Sequence, residues 1–242
     1  MKVMRVNNVH LKYLFHGNYV HSPSSAFLSI SPSASLHNVK IYVSPGAKLE
    51  IGEYVVINNT IICVEKGECV INDRCIIGPS NRNRTTQLII NNGKLFVEHH
   101  TKLSLERIWV RFGGLVKIGC YTNINADGEI RCDETVTIGS YNQISYGVRI
   151  WDTNTHSILS KEERRKVTET HYPYYGYESS KPKTSPVCIG DDCWIGEKAS
   201  ILKGTKLGDE IIVGYNCLLS GQEIPNKSVV VTKSVLDVRR IQ

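Results

Sequence analysis

Between Val187 and Leu219 the chain repeats every six residues. Ile189, Ile195, Ile201, Leu207, Val213 and Leu219 fill one slot, and Val187, Cys193, Ala199, Thr205, Ile211 and Cys217, all small or β-branched, lie two places earlier. Gly190, Gly196, Gly208 and Gly214 directly follow four of those aliphatic residues. A helix needs apolar spacings of three and four, and a sandwich strand alternates without a six-residue register. A period of six held through six units is the mark of a parallel β-helix. Residues at i−2 and i point the same way along a strand, here into the coil. The Gly, with Asp191, Asp192, Asp209, Tyr215 and Asn216 behind it, suits a tight corner where backbone is crowded or φ turns positive. Stacked coils then bury one apolar column that no single coil could bury alone.

The pattern extends well upstream. It begins weakly at Ile41 and Val43 and continues through Leu49, Ile51, Ile57 and Cys63, then slips by two and resumes at Ile71 and Ile77. Pro79 to Gln87, with Arg82 and Arg84, reads as a polar surface loop. Leu95, Val97, Val116, Ile118, Ile124, Ile130, Cys132, Val136, Ile138, Ile144 and Ile150 carry the repeat onward, with Trp109 and Phe112 harder to place. Residues 1–30 have no clean period and stay unassigned, leaving 31–242 as one β-helix domain.

At position 156 the count calls for another inward aliphatic residue, and the sequence has His156. The repeat does not return until Val187, and an interruption as long as 157–186 inside a compact domain is often functional. Ser160 and Glu163 have capping-box spacing, which predicts a short helix to about Val167. Tyr172, Tyr174, Tyr175 and Tyr177 follow, suited to stacking on a sugar or packing against a neighbouring subunit.

Composition narrows the function classes. The net charge of +6 is too mild for a nucleic-acid binder, and no basic stripe is interleaved with exposed aromatics. The basic excess is local: Ser80 to Arg111 holds six Lys or Arg against two Asp or Glu, which fits an anionic substrate or a solvated basic face. No apolar run is long enough to span a membrane, and Met1 to Phe15 lacks a signal-peptide core, so a cytoplasmic protein is expected. None of the eight Cys is in CxxC spacing, and Cys69, Cys75, Cys193 and Cys217 fall in inward slots, as buried thiols and not metal ligands.

The segments Val187-Cys188-Ile189-Gly190-Asp191-Asp192-Cys193-Trp194-Ile195-Gly196 and Asp152-Thr153-Asn154-Thr155-His156-Ser157-Ile158 resemble the hexapeptide-repeat acyltransferases, closest to the galactoside and maltose acetyltransferases and polysaccharide O-acetyltransferases. The resemblance spans Val116 to Asp237. It implies a left-handed parallel β-helix, a homotrimer, acetyl-CoA as acyl donor lying between adjacent prisms, and a sugar or glycan acceptor. It also implies His156 as catalytic base, a role suited to an imidazole that must take a hydroxyl proton near neutral pH. Asp152 or Asn154 would orient its ring, and Asn125 matches the family's active-site Asn, placed to steady the oxyanion or the acceptor hydroxyl. Trp194, Gly196, Gly214, Tyr215 and Ser220 match positions that line the cofactor cleft, although Tyr215 stands where a small residue is usual. The expectation is O-acetylation of a sugar in surface polysaccharide or glycan synthesis. The rivals are N-acylation of a nucleotide-linked amino sugar, a γ-type carbonic anhydrase that would need a His triad His99, His100 and His156 do not complete, and a non-catalytic scaffold.

Overall fold

The computed structural model describes residues 5–6, 9–10, 15–173 and 180–233. Apart from the short antiparallel pair Arg5–Val6 and Val9–His10, the strands among these residues form one 23-stranded sheet. Its pairings are parallel and join each turn of chain to the next, so the sheet winds into a β-solenoid.

Each turn lays down three faces. The first holds Thr135–Ile138, Val187–Ile189, Lys206–Leu207 and Glu223–Ile224 in register. The second holds Asn123–Ile124, Gln143–Ile144, Trp194–Ile195, Ile212–Val213 and Val229–Val230. The third holds Glu129–Cys132, Arg149–Trp151, Ser200–Leu202 and Leu218–Ser220. The inward slot of the repeat becomes three stacked columns, for example Ile124, Ile144, Ile195 and Val213, all buried. Each such side chain contributes about 1.5–3 kcal/mol by leaving water.

The corners have a division of labour that the repeat leaves open. Positive φ falls on Tyr54, Arg74, His100, Tyr121, Tyr141, Asp192, Glu210 and Lys227, one in each of eight successive turns at the corner between the first and second faces, and not on the glycines of the repeat. Gly190 is there because turns crowd: a Cβ would sit 2.7 Å from the Gly208 carbonyl. The polar residues beside it tie turn to turn, with Asp191 Oδ1 accepting from Ser140 N at 2.7 Å and Asp209 Oδ1 from Asp191 N at 2.8 Å.

Parallel pairing starts at Tyr19–His21 and Phe27–Ile30, inside the segment the repeat left unassigned. The loop between Ile76–Ile77 and Thr86–Val97 is the expected polar excursion, with Thr86 and Gln87 already in the strand. In the interruption, a helix spans Lys161–His171, four residues longer than the expected end at Val167. Its capping box is formed: Ser160 Oγ accepts from Glu163 N at 3.2 Å, and Ser160 N donates to Glu163 Oε2 at 2.9 Å. No helix residue is buried, so the helix stands off the prism. Tyr172 is exposed, whereas Tyr174, Tyr175 and Tyr177 lie outside the described residues.

Candidate active site

The chain leaves the stack at Asp152. Ile189, not residue 156, fills the inward place beneath Ile138, so His156 is displaced to the surface at the corner between the third and first faces. Asp152 itself points inward and is fully buried. Its Oδ1 accepts from Asp133 N at 2.9 Å and its Oδ2 from Glu134 N at 2.8 Å, with Cys132 Sγ 3.3 Å away. Burial pushes its carboxyl above the ordinary carboxylate value, and those hydrogen bonds offset part of that rise. Both oxygens are thereby committed to the preceding turn, which makes Asp152 an anchor of the departing chain.

Asp133, also fully buried, takes a two-pronged contact from Arg111, Nε to Oδ1 and Nη2 to Oδ2, each at 2.8 Å. Thr153 Oγ1 donates to the same carboxylate at 2.6 Å, and Thr155 N donates to Thr153 Oγ1 at 3.0 Å. The returning chain clamps this turn, with Asn154 N donating to Lys183 O at 3.0 Å and Ser185 N to Asp152 O at 2.9 Å. His156 thus leaves a turn held by a buried ion pair and a strand-like bridge between Thr153 and Thr184. It lines an open cleft of about 590 Å³ with Asn154, Ser157, Ile158, Leu159 and Arg164.

Asn125 lies elsewhere. It follows Asn123–Ile124 at the corner between the second and third faces, with its N–H on Ile144 O at 2.9 Å and its Oδ1 3.3 Å from Asn123 Nδ2. The third face separates this corner from that of His156, and the four residues Glu129–Cys132 alone span roughly 13 Å at about 3.3 Å each. Gly196, Gly214 and Tyr215 share the corner of Asn125, Gly196 two turns and the other two three turns further down. Trp194 projects outward beside them, 59% exposed, in register with Ile212 and Val229. Gly196 is required by the stack, since a Cβ would meet Val213 O at 2.7 Å, whereas at Gly214 the nearest atoms are 3.3 Å away. Tyr215 is exposed, with Lys198 Nζ 5.5 Å from its ring centroid. Ser220 ends a third-face strand and so falls on the His156 side.

One prism therefore carries two half-sites: His156, Asn154 and Ser220 along one edge, and Asn125, Trp194, Gly196, Gly214 and Tyr215 along another. Cys193 is buried and its thiol is pushed up chiefly by burial, so it remains protonated and inward. Among the described residues no group of three His, Cys, Asp or Glu side chains is arranged to hold a metal ion. Sequence reasoning missed Arg111 and Asp133, whose partnership depends on stacking across 22 residues.

No family model matches the chain. It is 28% identical over 156 residues to the putative lipopolysaccharide biosynthesis O-acetyl transferase WbbJ of Escherichia coli, covering 52% of this chain and 78% of that protein. It is 30% identical over 154 residues to the probable acetyltransferase Rv3034c of Mycobacterium tuberculosis, covering 59% of this chain but only about half, 49%, of that protein. Among solved structures, the polySia-specific acetyltransferase NeuO matches with a TM-score of 0.50 at 17% identity over 92% of this chain and 88% of the other. The polysialic acid O-acetyltransferase OatWY matches with a TM-score of 0.52 at 16% identity over 93% and 92%. At those identities the solved structures establish the shared fold, and the curated relatives supply the chemistry. With its six-residue repeat and β-solenoid, this chain resembles the hexapeptide-repeat acyltransferases, and the relatives it matches mark it as an acetyltransferase.

Proposed function

We propose that the protein moves an acetyl group from acetyl-CoA to a sugar hydroxyl during synthesis of a surface polysaccharide or glycan. The observation that carries this reading is the exposed imidazole of His156 on a turn fixed by the buried Arg111–Asp133 pair. A base in such a place can meet a proton without its own backbone shifting, which is what positioned proton transfer requires. His156 takes the hydroxyl proton as the oxygen attacks the thioester carbonyl, and the imidazolium returns it to the departing thiolate. Asn125, with its amide nitrogen at a half-buried corner, is suited to donate to the oxyanion.

The two half-sites support a composite centre in which the His156 edge of one prism meets the Asn125 edge of another. The exposed apolar column Trp194, Ile212 and Val229, with Leu218 and Val231 exposed nearby, is further support for self-association, and we take the assembly to be a homotrimer. For the donor, the lack of a side chain at Gly214 lets a pantetheine arm approach the backbone there, and Lys198, which also pairs with Glu197, supplies a cation for a phosphate on the same edge. All eight Cys are free, which favours a reducing compartment, and we place the reaction in the cytoplasm. Among the described residues no helix is long and apolar enough to cross a membrane.

The test is a mass-spectrometric screen of monosaccharides, amino sugars and glycans with acetyl-CoA, alongside thermal-shift titration with acetyl-CoA. Transfer to a hydroxyl is expected. Acetylation of amines alone would replace this reading with N-acylation, and absence of both donor binding and transfer would leave only a scaffold.

A further inference from the structure

The edge that carries Asn125 is unusual higher up. Where most turns pass from the second to the third face in a few residues, the chain between Ile77 and Thr86 makes a longer excursion. This loop has a cleft on each side. The upper one, about 460 Å³, is lined by His37, Asn58, Asn59, Pro79, Ser80 and Arg82. The lower one, about 480 Å³, runs from Pro79 and Ser80 past Asn81, Gln87 and Glu106 to Ala126 and Asp127, immediately after Asn125.

The loop is built to keep its shape. Arg84 pairs with Asp127, whose carbonyl also accepts from Arg149 Nη1, so the loop is fastened to the turn that bears Asn125. Within it, Asn81 Oδ1 accepts from Asn83 N at 2.9 Å and Asn81 O from Arg84 N at 3.0 Å. The two clefts share Pro79 and Ser80, and together they follow one edge from the level of His37 to that of Asp127. That is four inter-turn steps, roughly 19 Å at about 4.8 Å each. The linings are mostly polar, with the amides of Asn58, Asn59, Asn81 and Gln87, the hydroxyl of Ser80, the guanidinium of Arg82 and the carboxylate of Glu106 supplying both donors and acceptors for a polyhydroxylated ligand. Arg84 is already paired, so the binding would rest on hydrogen bonds more than on net charge, with the exposed Arg82 tolerating an acidic sugar.

We propose that these clefts form a single acceptor groove that holds an oligosaccharide lengthwise, delivering the sugar to be acetylated to Asn125 at its lower end. The proposal rests on the sugar-acceptor reading above and narrows it from any sugar to a chain of several units.

The experiment uses the sugar acetylated in the screen, offered as monomer and as oligomers up to the octamer, with malto-oligosaccharides and oligogalacturonates as generic neutral and acidic ladders. Titration calorimetry without acetyl-CoA measures binding, and steady-state kinetics measures KM. Acceptor KM should fall about tenfold or more from monomer to the longest oligomer, the equivalent of one or two net hydrogen bonds. Arg82→Ala in the upper cleft and Gln87→Ala in the lower should each raise the oligomer KM several-fold. Monomer KM, acetyl-CoA KM and kcat should stay as in the wild type. Equal affinity for monomer and oligomer would overturn the groove while leaving the acetyltransferase reading intact. So would variants that change the mass measured by light scattering, since the edge would then be a contact between copies. Failure of every sugar to accept acetyl would instead sink the acceptor reading, and absence of calorimetric binding by any ladder would sink the groove with it.

Discussion

His156 and Asp152 sit four positions apart and play opposite parts. Replacing His156 with Ala should lower turnover about 10²- to 10⁴-fold, the range for loss of a general base, with acetyl-CoA affinity unchanged by calorimetry. A variant that stays folded and acetylates a verified hydroxyl at the wild-type rate would place the base elsewhere. Asp152→Asn should act first on stability, because an amide nitrogen would face a backbone N–H that now donates to a carboxylate oxygen. The cost is about 1–3 kcal/mol for an unsatisfied buried group, or roughly 2–4 °C of melting temperature per kcal/mol at this size. The pH dependence has a definite sign. Because burial raises the folded-state carboxyl above its unfolded value of 3.8, the folded form binds the extra proton, and this residue's contribution to stability falls as pH rises from about 3.8 through the raised value. Thermal melts of wild type and Asp152→Asn across that range should draw closer together as pH rises. His156 was legible as a break in a count of six. The role of Asp152 was not, since its partners Asp133 and Glu134 are neighbours only after the turns stack.

At the scale of elements, the C-terminal turns announced themselves and the N-terminal ones did not. Six-residue marking depends on tight corners that need Gly, as at Gly190, whereas Ser35–Val43 and Val56–Glu65 run unbroken around a corner and carry no such punctuation. The departing turn is different again, because its rigidity comes chiefly from contacts between turns, the Arg111–Asp133 pair among them, more than from the local sequence. Arg111→Leu should leave Asp133 buried and unpaired, a loss of about 3–5 kcal/mol. Calorimetry should show a drop on the order of 10 °C, with acetyl transfer falling in step even though Arg111 touches no proposed substrate. Retention of both would mean that the turn holds itself.

For the whole molecule, the separation of the two half-sites predicts that activity depends on association. Ile212→Glu together with Val229→Glu, on the exposed column, should reduce the mass measured by light scattering to that of a monomer and abolish transfer without unfolding the prism. An active monomer would show that one chain suffices. The interruption between Trp151 and Val187 has a consequence of another kind. The prism closes over it in perfect register, since Ser140 N still meets Asp191 at a sequence distance of 51 where Asn123 and Gln143 are 20 apart. Extending a closed loop from 20 to 51 residues adds only about 0.8 kcal/mol of chain entropy. The corner can thus host inserts of very different length at almost no thermodynamic penalty, and selection can exchange the insert while the scaffold stays the same. Replacing residues 160–180 with a Gly/Ser tract of equal length should keep the melting temperature within a few degrees and remove acetyl transfer. Grafted inserts from related chains should then carry acceptor preference with them, as a socket takes different tools.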